Sequence, residues 1–192
     1  YFATHAPFRY VDLALWGGAS GSDDQIAAYD VPCVEARQSE LVLAYFRAHE
    51  FDLVLFQEFL GHSARTLQAR QAGLALTAAH AAVTMHSCRQ WIYDGMHRLP
   101  TSSVDMAGDF LERESSRLAD RIVTPSAHMA HWAQAHWKLG HDAAVIPYCY
   151  DARATRPRTV VDHKGPFEHL VFFGRLETRK GLHLFCRALA NS

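Results

Sequence analysis

Long apolar runs are missing from this chain of 192 residues: none approaches the ~20 needed to cross a bilayer. No signal-peptide pattern opens it either, so no transmembrane segment is expected. A charge excess is also missing. Lys and Arg number 19 against 20 Asp and Glu, for a formal net charge of −1. Such a balance leaves no electrostatic footprint for nucleic acid or an anionic membrane surface. Paired cysteines are the third absence. Cys33, Cys88, Cys149 and Cys186 are scattered and none forms a CxxC pair. Neither a disulfide framework nor structural zinc is expected, and a reducing, cytoplasmic setting is. The 13 histidines do not alter this. His128 and His131 fall three apart and His86 precedes Cys88 by two, but neither set has companion ligands at zinc spacing. They read as helix-surface histidines, and no metal is expected.

What is present is an ordinary globular composition, 49% apolar and 11% aromatic, enough for one full domain. The chain starts at Tyr1 rather than Met, so a cut or processed N-terminus is expected. Residues 1–34 show little periodicity, and the Gly/Ser/Asp-rich stretch 16–24 reads as a loop. From Glu35 onward the patterns alternate. Leu41, Val42, Tyr45 and Phe46 predict a helix over 39–49, and residues 51–56 read as a buried strand. A helix over 64–72 is closed by Gly73 as its C-cap, and a strand over 81–85 ends at His86. A long helix spans 105–118 and a strand 121–124. The next helix opens near Ser126, with Thr124 or Ser126 as cap and Pro125 in its first turn. A short strand follows at 143–146. Strands alternating with helices of this length predict an α/β fold, a Rossmann-like parallel sheet with flanking helices.

After Asp151 the composition turns polar, basic and proline-bearing, through Arg153, Arg156, Pro157, Arg158 and Pro166. Three segments are expected: a domain over 1–151, N-terminally incomplete, a linker over 152–167, and the start of a second domain over 168–192. One strand and one helix cannot bury a core alone, so the second domain is truncated and the chain reads as a fragment.

That second unit holds the most informative residues. His169-Leu170-Val171-Phe172-Phe173 has strand length and ends at Gly174. The basic turn Arg175 to Gly181 follows, and Leu182, Phe185 and Leu189 repeat at helical spacing. Strand ends and helix N-termini are where α/β proteins hold anions. Arg175 and Lys180 therefore bracket a candidate diphosphate position, with an exposed basic turn as the plain alternative. Gly174 would let the backbone approach a ligand closely, and Gly181 would keep the turn open.

Phe-Phe-Gly-Arg-Leu-Glu-x-Arg-Lys-Gly-Leu resembles the start of the donor-binding domain in retaining glycosyltransferases of family 4, which have the GT-B fold. Leu118-Ala-Asp-Arg-Ile-Val-Thr-Pro-Ser-Ala-His-Met129, followed by Val145-Ile146-Pro147 and Asp151, is similar to the segment that closes the family's first domain. The resemblance covers about residues 52–190 and implies a GT-B N-terminal, acceptor-side domain joined to the first β-α unit of the second domain. It implies an enzyme moving a sugar from a nucleotide-diphosphate sugar to a carbohydrate or other hydroxyl acceptor, with retention, using no cofactor beyond that donor and no metal. Gly174, Arg175, Lys180 and Gly181 match the family's diphosphate turn. His86 falls where a family histidine contacts the donor sugar, and would be the catalytic residue. A histidine at a strand end also reads as a satisfied rim residue.

Glu58, after the strand 51–56, could orient an acceptor hydroxyl. The rim reading is preferred, because one carboxylate with no visible partner is poor equipment for acid-base work. Asp120 reads as fixing a helix-strand junction. The chain departs from the family at Tyr148-Cys149, which replace Asn-Gly after Ile-Pro. The family's sugar-binding glutamate pair would lie beyond Ser192, so no turnover is expected of this chain. The rival reading is a non-catalytic Rossmann-like module binding a phosphorylated ligand or a partner.

Overall fold

The computed structural model describes residues 34–149 and 169–191. The segment 16–24, the linker 152–167 and Cys33 lie outside the described residues. Helix α1 covers Val34–Arg47 and strand β1 Leu53–Gln57, followed by a 3-10 turn at Phe59–Gly61 and helix α2 at Ala64–Gln71. Strand β2 is His80–Thr84, and helices α3, Arg89–Met96, and α4, Ser103–Leu118, lie between it and β3, Arg121–Thr124. Helix α5, Ala127–Trp137, leads to β4, Ala143–Val145. A second 3-10 turn, Thr178–Lys180, precedes α6, Leu182–Ala190. The four strands form one sheet in the order β1-β2-β3-β4, and every pair is parallel. This is the Rossmann-like α/β sheet flanked by helices.

Strand alternation decides where the core sits. Register aligns Val54 with Ala81, and Phe56 with Val83 and Ile122, so these side chains share one face of the sheet. They are buried, with Leu67 of α2, Leu76 and Ala79 packed beside β1 and β2, and Met129, Ala133 and Trp137 of α5 packed beside Ile122. The other face carries Leu53 and Leu55, which stay 67% and 61% exposed. The stretch expected as a buried strand is therefore buried on one side only.

Local chemistry sets the boundaries. Ser126 caps α5, its hydroxyl accepting from Met129 N–H at 3.2 Å. Pro125 thus precedes the cap instead of entering the first turn. Ser102 caps α4 in the same way through Asp105 N–H. Gly73 takes the left-handed conformation after α2, with φ of +72°, as its C-cap role requires. Asp120 accepts from Ala81 N–H and from Arg70 Nη2, both at 2.8 Å, and so ties the end of α4 to β2 and α2.

The strand expected over 169–173 is not formed. Leu170, Val171 and Phe173 are exposed, Phe173 fully so, and the segment is held by the Phe172–Phe185 ring contact, with centroids 5.3 Å apart. A strand exists through its ladder, and among the described residues no neighbour pairs with this one. Its helix, α6, is formed as the spacing predicts.

Candidate functional site

The carboxyl ends of the parallel strands carry the chemistry-bearing residues. Backbone bonds continue each ladder one step beyond its strand: Glu58 N–H to Thr84 O, Met85 N–H to Val123 O, and Ile146 N–H to Thr124 O. Glu58, His86 and Tyr148 consequently stand at one edge of the sheet. His86 is exposed there, and both of its ring nitrogens are engaged. Nε2 lies 2.6 Å from Gln57 Oε1, and Nδ1 lies 2.5 Å from the Tyr148 hydroxyl. With Gln57 presenting its carbonyl oxygen, Nε2 donates to it, and Nδ1 shares the second bond with the Tyr148 hydroxyl. Tyr148 also stacks on the ring, with centroids 5.4 Å apart at 15°.

Glu58 is not a solvated rim residue. It is 1% exposed, and its Oε1 accepts the backbone N–H groups of His86 and Ser87 at 2.8 and 2.7 Å. Its Oε2 is buried without a hydrogen-bond partner. An acceptor-only carboxylate facing two successive amides fixes the turn after β2, and burial follows because the turn closes over it. A second buried carboxylate, Glu112 of α4, does the same for neighbouring segments. Its Oε1 accepts Leu60 N–H at 3.2 Å and its Oε2 accepts Arg89 N–H, in the first turn of α3, at 2.6 Å. Burial pushes the Glu112 carboxyl up to about 7, and the nearby Glu58 charge adds to this. The two N–H bonds and the Arg89 charge work the other way.

Leu60 and Gly61 both take left-handed backbone, at φ of +57° and +62°. At Gly61 a Cβ would fall 2.3 Å from Leu111 Cβ, so α4 can approach only a glycine here. Arg89 then ties three helices, pairing with Glu35 at 3.1 Å and Asp105 at 3.3 Å. Cys88 is buried, and burial raises its thiol far above the usual range, helped by the carboxylates of Glu112, Glu58 and Asp109. It is no nucleophile.

The residues of the basic turn come together by sequence proximity. Gly174 and Gly181 have φ of +155° and +79°, a region that favours glycine, and a Cβ at Gly181 would meet nothing within 4 Å. The requirement there is backbone conformation, not space. Arg175 is exposed, its Nε 3.0 Å from Glu177 Oε1, and Lys180 is exposed as well. The turn does not stand apart from the sheet: Thr178–Lys180 packs against α3, the helix that begins three residues after His86. The ring partners of His86 are Gln57 and Tyr148, not the turn.

Among the described residues, no group of three His, Cys, Asp or Glu is gathered as a metal would need. Among the same residues, no helix is long and apolar enough to cross a membrane. Two open depressions of about 660 and 400 Å³ lie at the amino ends of the strands, lined by Leu53, His80 and Arg121 and by Phe51, Asp52 and Ala79 respectively. The carboxyl edge holds a smaller cavity of about 90 Å³ between Leu60, Ser87, Arg89 and Glu112. Volume favours the amino end, but strand polarity favours the carboxyl end, where open α/β sheets bind ligands. Polarity decides here, and in the larger amino-end depression Arg70 and Asp120 are already paired with each other.

Sequence reasoning missed Glu58 and Glu112 as a pair. Nothing in the sequence announces two carboxylates 54 positions apart that serve backbone amides. The chain matches no family model, no curated protein and no solved structure.

Proposed function

We propose that this chain is the acceptor-side domain and first donor-side turn of a retaining glycosyltransferase. It would move a sugar from a nucleotide-diphosphate donor to an acceptor hydroxyl at the carboxyl edge of the sheet. In this reading Arg175 and Lys180 meet the diphosphate and stabilise the charge that develops on it as the leaving group departs. His86, with its Nε2 facing Gln57, offers a donor to a sugar hydroxyl once Gln57 yields. Tyr148 lies beside it as an aromatic face.

The observation that carries the proposal is the packing of the basic turn against α3, the helix that follows the strand end bearing His86. A motif that resembles a diphosphate site is thus packed on the helix that leaves the strand-end histidine.

A second reading has its own support. Both nitrogens of His86 are occupied and Arg175 is paired with Glu177, an arrangement also suited to a non-catalytic module that holds a phosphorylated ligand. Calorimetric titration with UDP, GDP and ADP, without added metal, tests the common part. Removing a guanidinium that donates to phosphate should weaken binding by at least about ten-fold. Binding of one nucleotide, weakened to that extent in Arg175→Ala, supports a diphosphate site. Binding of none, or equal affinity in the variant, overturns it. Transfer of sugar by the protein then separates enzyme from module.

A further inference from the structure

The most enclosed cation of the basic turn is neither Arg175 nor Lys180 but Arg179. Its side chain is only 11% exposed, against 69% for Arg175. The guanidinium carbon lies over the Trp91 ring, 5.5 Å from the centroid, at cation–π distance. Its aliphatic stem lies on Gly95: a Cβ built at Gly95 would fall 3.1 Å from Arg179 Cβ and 3.6 Å from its Cδ. Gly95 sits within the eight-residue helix α3, where glycine is a poor helix former. The close approach of Arg179 accounts for its being there. Trp91 itself packs against the cluster of Met85, Ile122 and Met129 and meets His128, in the first turn of α5, with centroids 6.4 Å apart.

We propose that Trp91 and Gly95 form a socket for Arg179, and that this socket latches the basic turn to the carboxyl edge of the sheet. Arg179 is then a positioning residue: it carries Arg175 and Lys180 to the side where His86 stands, without touching the ligand. Glu177 links latch to ligand site. Its Oε1 lies 3.0 Å from Arg175 Nε and its Oε2 lies 2.9 Å from Arg179 Nε. The second pair is close but lacks hydrogen-bond alignment, so the two arginines share one carboxylate. The latched turn presents Arg175 to the anion, so by linkage a bound anion favours the latched turn to the same extent that the latch favours the anion. The socket stands on geometry alone; this consequence for ligand binding rests on the diphosphate reading above.

Amide hydrogen exchange of residues 174–190, read in the ligand-free protein, tests the socket. Arg179→Ala removes the cation, and Gly95→Leu fills the socket while improving the helix, so the second variant is not expected to misfold. Both are expected to exchange about ten-fold faster than wild type over the turn and α6, while Arg179→Lys keeps a cation over Trp91 and restores most of the protection. Strands β1 to β3 should be unchanged. Equal exchange in wild type, Arg179→Ala and Gly95→Leu would overturn the latch.

Titration of the same proteins with UDP, GDP and ADP then reads the linkage. Loss of affinity in Arg179→Ala and Gly95→Leu, rescued in Arg179→Lys, supports it. Unchanged affinity in loosened variants overturns the positioning role. If wild type binds no nucleotide while the variants still loosen the turn, the diphosphate reading fails and the socket stands.

Discussion

Two buried carboxylates hold the turns on which His86 sits, and they do so with opposite visibility. Glu58 follows a strand, a place that in sequence predicts a solvated rim. The structure buries it because two adjacent amides, His86 and Ser87, need one acceptor. Removing that acceptor leaves both N–H groups unpaired, so Glu58→Ala should lower stability by about 2–4 kcal/mol in denaturant unfolding. An undisturbed midpoint would contradict the assignment.

Glu112 gives a pH signature. Its carboxyl is raised from the usual 4.5 to about 7, so the folded chain holds a proton that the unfolded chain releases. For this group the folded state binds more protons between those two values, and stability falls as pH rises from about 4.5 to 7. The full contribution is at most on the order of 3 kcal/mol. Glu112→Gln should lower stability at pH 5.5, because an amide nitrogen replaces one acceptor. It should also flatten the decline between pH 5.5 and 8. A parallel decline in both proteins would refute the raised carboxyl.

At the scale of elements, periodicity served where burial was one-sided and regular. Arg121 to Thr124 reads as a strand and is one, with Ile122 and Thr124 facing the core. The helix expected over 105–118 is α4, its start set by the Ser102 cap, but Met106 and Phe110 stay exposed and its buried side carries Leu111 with Glu112, Ser115 and Ser116. Helix α3 was not legible. It has no fully buried residue and contains a glycine, so neither an apolar stripe nor propensity marks it. What organises α3 comes from elsewhere in the chain: Glu112 at its N-terminus and Arg179 on its last turn.

The reverse holds at residues 169–173. The apolar run has strand composition, but composition supplies no ladder partner. Capping is the element property most open to a direct check. Ser126→Ala should cost about 1 kcal/mol through the lost bond to Met129 N–H, measurable as a lowered Tm, and a Tm equal to wild type would contradict the cap.

At the scale of the whole molecule, strand polarity matters more than cavity size. A parallel sheet gathers the ends of β1, β2 and β4 with Gln57, Glu58, His86 and Tyr148 at one edge. The basic turn is docked on the helix that leaves that edge. This convergence was only half legible. The motif pointed to the turn and the strand pattern pointed to His86, but the contact that docks the turn runs through Arg179, to which the motif gave no role, and through Trp91 and Gly95, residues with no functional pattern in the sequence.

The most direct test is amide hydrogen exchange across the protein with and without excess UDP, GDP or ADP. The predicted result is simultaneous protection of residues 85–89 and 174–181 by one of the nucleotides, with the amino-end depressions unaffected. Protection confined to the segments around Asp52, His80 and Arg121, or no protection by any of the three, would contradict a nucleotide site at the carboxyl edge.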